Sequence, residues 1–152
     1  MVKNNRSRDL LPSLTDRITF NIVDVNLYLR EKNRIRALIN TIAVMENKVF
    51  GFLSYNFCSD EYLLKINKKH LNHNNYTDII TFDLSEEGEI NGDIYISVER
   101  VKENSAAFKQ RYTEELSRVM IHGFLHLCGY KDKTDKDISI IRKKENQYLS
   151  LR

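Results

Sequence analysis

The segment Val119 to Cys128 (VMIHGFLHLC) is apolar on nearly all sides, so a helix built from it belongs inside a fold rather than on its surface. Two histidines interrupt it, His122 and His126. Four residues apart on a helix, they place both imidazoles on one face a turn from each other, which is the spacing of a two-histidine metal clamp. Gly129 follows and can end the helix in a left-handed conformation, turning the chain back toward the imidazoles. That turn brings Asp132 forward as the third ligand, with Asp135 or Asp137 as alternatives less suited to the role. Those two fit better in the first turn of the next helix, where acidic groups meet the positive end of the dipole. One histidine in such a helix usually satisfies itself with a core hydrogen bond; a pair at this spacing, with a glycine turn and a carboxylate behind it, favours metal. Three protein ligands leave a coordination position for water, as a catalytic zinc site requires, whereas structural sites usually have four.

A buried helix needs a core around it. The chain has 152 residues, one ordinary domain's worth, and can bury roughly 70% of its unfolded surface without disulfides or structural metals. A hydrophobic content of 41%, with 30% charged residues and a mean hydropathy of -0.48, excludes a disordered or membrane class. No apolar run is long enough to span a bilayer, and the first twenty residues lack the apolar stretch of a secretory signal, so a cytoplasmic protein without membrane contact is expected. Cys58 and Cys128 have no CxxC partners and read as reduced core thiols. The net charge of +3 arises in the terminal segments, which permits nucleic-acid binding without demanding it.

The chain reads as a single domain, 1–152, behind a polar leader at 1–17. Ile18 to Ile22 alternates as a strand, with Ile18, Phe20 and Ile22 on one face; Asn33 caps a helix with an apolar stripe from Ile35 to Met45. Val49 to Cys58 is a strand, and Ser59 or Asp60 caps a helix over 61–70. Asp78 to Leu84 and Asp93 to Val98 form an antiparallel hairpin across the acidic loop SEEGEING. Helices follow near 98–109, 113–128 and 135–149. Strands early and helices late give an α+β fold, with a small mixed four-stranded sheet and about five helices.

HGFLHLCGYKD resembles the signature of the YbeY family, bacterial metal-dependent endoribonucleases associated with ribosomal RNA maturation, whose pattern is approximately HGxLHLxGYDH. His122, Gly123, Leu125, His126, Leu127, Gly129 and Tyr130 match. Upstream, LKINKKHLNHNNYTDIITFDL is similar to the family's LNxxYRxxxxPTDVLSF segment at Asn67, Thr77, Asp78 and Phe82, and Gly92 with Asp93 resembles its GD strand. The resemblance covers roughly residues 18–150. It implies a zincin-like active-site helix and a single-strand-specific endoribonuclease acting in ribosome biogenesis. One zinc or another divalent ion is expected on His122, His126 and Asp132, with ribosomal RNA as substrate and ribosomal proteins or ribosome-associated factors as partners.

Two departures stand out. The family's third histidine falls at Asp132, and its substrate-facing arginine aligns with Leu71. A carboxylate ligates zinc at about the same distance as histidine but widens the range of acceptable metals. Lys68, Lys69, His70, His73, Thr77 and Asp78 are the substrate-binding candidates, on a run that from Lys65 to His73 carries no acidic residue and that reads equally well as a solvated helix face. A zinc protease is disfavoured, because HExxH needs a Glu where this chain has Gly123. A non-haem iron oxygenase shares the two-histidine, one-carboxylate set but has no other support. The stronger rival is a metal-braced RNA-binding biogenesis factor with little catalysis, because Leu71 removes a phosphate-facing charge.

Overall fold

The computed structural model describes residues 13–72 and 75–152, so the leader up to Pro12 and His73 lie outside the described residues. Ser13 caps a single helical turn, α1 (Leu14–Arg17), which leads into β1 (Ile18–Ile22). Then come α2 (Lys32–Met45), β2 (Val49–Cys58), α3 (Asp60–Leu71), β3 (Ile79–Asp83) and β4 (Glu89–Ser97). Three helices complete the domain: α4 (Val98–Ala107), α5 (Tyr112–Leu127) and α6 (Asp135–Leu149). The helix beyond the expected five is α1, too short to show a periodicity.

The sheet is four-stranded and mixed, in the order β1-β2-β4-β3. β1 and β4 both run parallel to β2, while β3 is antiparallel to β4. The hairpin turns through Glu87 and Gly88, both at positive φ, as a tight two-residue connection requires. β4 starts four residues before the expected Asp93. Its polar first half resembles loop in composition but pairs with β2, Val49 opposite Glu89 and Phe50 opposite Ile90. Likewise α2 begins at Lys32 behind Glu31 in the left-handed region, rather than at a cap on Asn33. Asn33 sits inside the first turn, its Oδ1 accepting from Arg36 at 2.9 Å.

Alternation along the strands separates the two faces. Leu53, Tyr55 and Phe57 of β2 and Ile90, Ile94 and Ile96 of β4 face the main core with Ile18, against Leu38, Ile39 and Ile42 of α2 and Met120, Phe124 and Leu125 of α5. Each such side chain contributes roughly 1.5–3 kcal/mol by leaving water. The Tyr55 hydroxyl, deep in this layer, donates to the Met120 carbonyl at 3.0 Å, so this buried hydroxyl is paired. On the other face Cys58, Leu63 and Ile80 form a smaller cluster beneath α3. Both cysteines are free, as their spacing implies. Ile22, expected on the apolar face of β1, is largely exposed at the strand's end.

Candidate metal centre

The core-packed α5 sets the site. It ends in paired hydrogen bonds, Gly129 N–H to the His126 carbonyl at 3.0 Å and Tyr130 N–H to the Leu125 carbonyl at 3.1 Å, with Gly129 at φ +107. This is the Schellman termination, which reverses the chain over the helix's last turn. Asp132 is thereby carried back to the imidazoles. The two Nε2 atoms lie 2.8 Å apart, and Asp132 Oδ2 is 3.2 Å from that of His126 and 3.4 Å from that of His122. Asp137 is occupied elsewhere, in a reciprocal capping box with Thr134 at the start of α6, and Asp135 lies in that same first turn.

The outer nitrogens explain the inner geometry. His126 Nδ1 is 2.9 Å from the Tyr130 carbonyl, which can only accept, so Nδ1 carries the proton and Nε2 presents a lone pair. His122 Nδ1 is 3.2 Å from Glu145 Oε2 and is oriented in the same way. Two lone pairs facing each other at 2.8 Å repel unless a proton or cation lies between them. For His122, burial alone lowers the pKa, but the Glu145 hydrogen bond and the charges of Glu145, Asp132 and Asp78 outweigh it and the net shift is upward. The three donor atoms make a triangle small enough for one cation at roughly 2.0–2.2 Å from each. His122, His126 and Asp132 are also the His/Cys/Asp/Glu group able to hold a metal among the described residues.

A cleft of about 350 Å³ opens beside His122 and Asp132, lined also by Asp78, Glu115, Arg118 and Glu145. Burial raises the pKa of Asp78, partly offset by His122, and burial likewise raises that of Glu115. Of the substrate-binding candidates, the structure brings Asp78 to this cleft. Lys68, Lys69 and His70 occupy the last turn of α3, with His70 edge-on to Phe82, and Thr77 precedes Asp78 without lining the cleft. Leu71 is the last residue of α3 and is exposed.

Gly123 faces the sheet rather than the cleft. A Cβ there would fall 2.9 Å from Ile79 Cδ1 and 3.2 Å from Ile94 Cδ1, so a glutamate at this position would be driven into the core and could not serve as a base. The protease reading has no place for its essential residue.

Sequence reasoning missed Glu145 and Arg118. Glu145 is only 4% exposed, and its Oε1 accepts from Arg118 Nη1 at 3.3 Å while Arg118 Nη2 donates to Asn146 at 2.9 Å. The signal was present: Glu145 interrupts the apolar stripe Ile141 and Tyr148 of α6, and a carboxylate on a core-facing stripe needs a partner.

The family model described as "Endoribonuclease YbeY" matches residues 13–151. The chain belongs to the YbeY family. A YbeY relative from Flavobacterium psychrophilum, named as an endoribonuclease, is 49% identical over 134 residues, covering 88% of this chain and 95% of its own. One from Cytophaga hutchinsonii with the same name is 52% identical over 130 residues, covering 85% and 91%. The solution structure of TM1509 from Thermotoga maritima superimposes with a TM-score of 0.54 at 27% identity, over 86% of each chain. Within this YbeY chain the family's motif residues have physical duties: Gly123 lets α5 approach the sheet, and Gly129 folds Asp132 back.

Proposed function

We propose that this chain is a metal-dependent endoribonuclease that cleaves single-stranded RNA beside His122, His126 and Asp132, with ribosomal RNA as its substrate class and ribosome-associated factors as its partners. The observation that carries the reading is the convergence of three donor atoms while both imidazole Nδ1 atoms are engaged elsewhere. Membership of the YbeY family supports RNA as the substrate. Two nitrogens and a carboxylate oxygen suit zinc, and the carboxylate also accommodates harder divalent ions.

A bound zinc ion would supply Lewis acidity, polarising a phosphoryl oxygen and making a water easier to deprotonate. The chain's own groups do the rest. Glu145 and the Tyr130 carbonyl hold the Nδ1 protons, so that both Nε2 atoms remain donors to the metal. Asp78 and Glu115, whose carboxyl groups hold protons more tightly than usual, can exchange a proton with the attacking or departing oxygen. Lys68, Lys69, His70 and Thr77 are proposed to meet RNA outside the cleft, on the α3 side, and His73, which lies outside the described residues, is proposed as a further RNA contact. Among the described residues no helix is long and apolar enough to cross a membrane.

The test is elemental analysis of the purified protein followed by cleavage of a labelled single-stranded RNA with and without chelator. One metal per chain is expected, with cleavage abolished by chelation and restored by zinc. Cleavage that survives complete metal removal would contradict the proposal, and binding without cleavage would leave an RNA-binding factor.

A further inference from the structure

Three clefts follow one another along α5, each sharing side chains with the next. The metal cleft is bounded by Arg118, which also lines a polar cleft of about 490 Å³. Arg34, Arg111 and Arg152 join Arg118 there, against a single carboxylate side chain, that of Glu114. Arg34, Thr113 and Arg152 then pass into an apolar cleft of about 260 Å³, whose walls include Tyr28, Tyr112 and Leu116.

The four arginines differ in what already engages them. Arg118 is tied to Glu145 and Asn146, and Arg34 makes an exposed pair with Glu31 at 3.0 Å. Arg111 and Arg152 are exposed, and neither has an ion pair among those recorded for the described residues. An excess of cations in a concave site fits a polyanion. The neighbouring wall fits something flat and apolar: Tyr28 is 83% exposed at its edge, the most exposed large hydrophobic residue among the described residues.

A single nucleic-acid strand presents this combination, phosphates at regular intervals and unpaired bases whose faces seek apolar or aromatic surfaces. Arg111 precedes His122 by 11 positions along the line of α5, or about 16 Å at the helical rise. A strand crossing the metal cleft therefore reaches the arginines within a few nucleotides.

We propose that the arginine cleft and the apolar cleft beyond it form a second RNA-binding site, holding a backbone phosphate on Arg34, Arg111 and Arg152 and an unpaired base against Tyr28. It rests on the endoribonuclease reading and deepens it, because a duplex keeps its bases stacked and cannot fill the apolar cleft. Preference for single strands then originates away from the bond that is cut.

The probe is a fluorescent single-stranded RNA, 2′-O-methylated so that it is not consumed, titrated by anisotropy across a salt series against metal-loaded protein. Arg34 and Arg111 are at the surface, so their replacement should leave the fold intact, as circular dichroism and metal stoichiometry would verify. Arg34→Ala with Arg111→Ala should reduce the slope of log affinity against log salt by about 0.7, the single-strand value for the one phosphate no longer neutralised. Tyr28→Ala should weaken binding about tenfold, the loss of one stacked base, without changing that slope. A parental slope in the double variant overturns the proposal, as does parental affinity in Tyr28→Ala. If polyglutamate rather than RNA loses affinity in these variants, the groove docks an acidic protein and the proposal is equally overturned. Failure of the nuclease reading appears separately, as a parent protein that binds this RNA through the same residues yet cleaves no unmodified RNA.

Discussion

Glu145 of α6 reaches across to His122 of α5, its Oε2 3.2 Å from the imidazole Nδ1, while Arg118 holds the other carboxylate oxygen. The carboxylate fixes which ring nitrogen faces the candidate metal position, and the arginine fixes the carboxylate. Glu145→Gln keeps the shape but loses the charge and permits the wrong ring orientation. Zinc affinity, read by competition with a chromophoric chelator, should fall about 10- to 100-fold. Unchanged affinity would make Glu145 a core ion pair only.

Asp78 tests the chemistry separately from the metal. It lines the cleft without belonging to the ligand triangle, and burial raises its pKa. Asp78→Asn should slow RNA cleavage by about 10²-fold or more while zinc stoichiometry stays at one. The acidic limb of the pH–rate profile should also change shape; equal rates and profiles would remove Asp78 from proton transfer.

Much of this site was legible because it lies on one continuous helix. The four-residue spacing of His122 and His126 survives any tertiary arrangement, and Gly129 announced the turn that returns Asp132. Glu145 and Arg118 were harder to find, because their relevance depends on how α6 docks against α5, and helix spacing carries no information about neighbours. The alternation in β2 located the sheet's two faces correctly. The start of β4 escaped detection because Glu89 and Asn91 are polar residues whose strand character comes from pairing with β2 and with the chain leaving β3. Leu71 marked a missing charge, but the arginines that line the next cleft are dispersed over Arg34, Arg111 and Arg152, and only folding collects them.

Gly129 sits at φ +107, where a Cβ is strained even though the surrounding space is open. Gly129→Ala should cost about 1–2 kcal/mol in urea unfolding. It should also lower zinc affinity, since the same turn positions Asp132. A stability loss with parental zinc affinity would separate the turn from the site.

Glu46 ties the loop after α5 to the rest of the domain: Tyr130 donates to its Oε2 at 2.8 Å, Tyr148 to its Oε1, and the Lys144 ammonium lies 3.1 Å away. Burial alone would raise its pKa, but the hydrogen bonds from Tyr148, Tyr130 and Lys144 prevail and the net shift is below the ordinary 4.5. A carboxyl group with a depressed folded pKa contributes stability that is fully present above 4.5 and is lost as pH falls through the depressed value. Glu46→Gln should therefore cost about 1–3 kcal/mol at neutral pH. The difference from the parent should shrink in strong acid; a constant difference from pH 7 to pH 3 would contradict the linkage.

The most direct test of the metal-centred mechanism is the rate at which folded, metal-free Asp132→Ala protein cleaves a labelled single-stranded RNA. With the carboxylate corner of the triangle removed, cleavage should fall at least about 100-fold below the zinc-loaded parent, while affinity for the RNA should be largely retained if phosphate contacts elsewhere supply it. Cleavage at the parental rate by that metal-free protein would show that the three donors do not hold a catalytic ion.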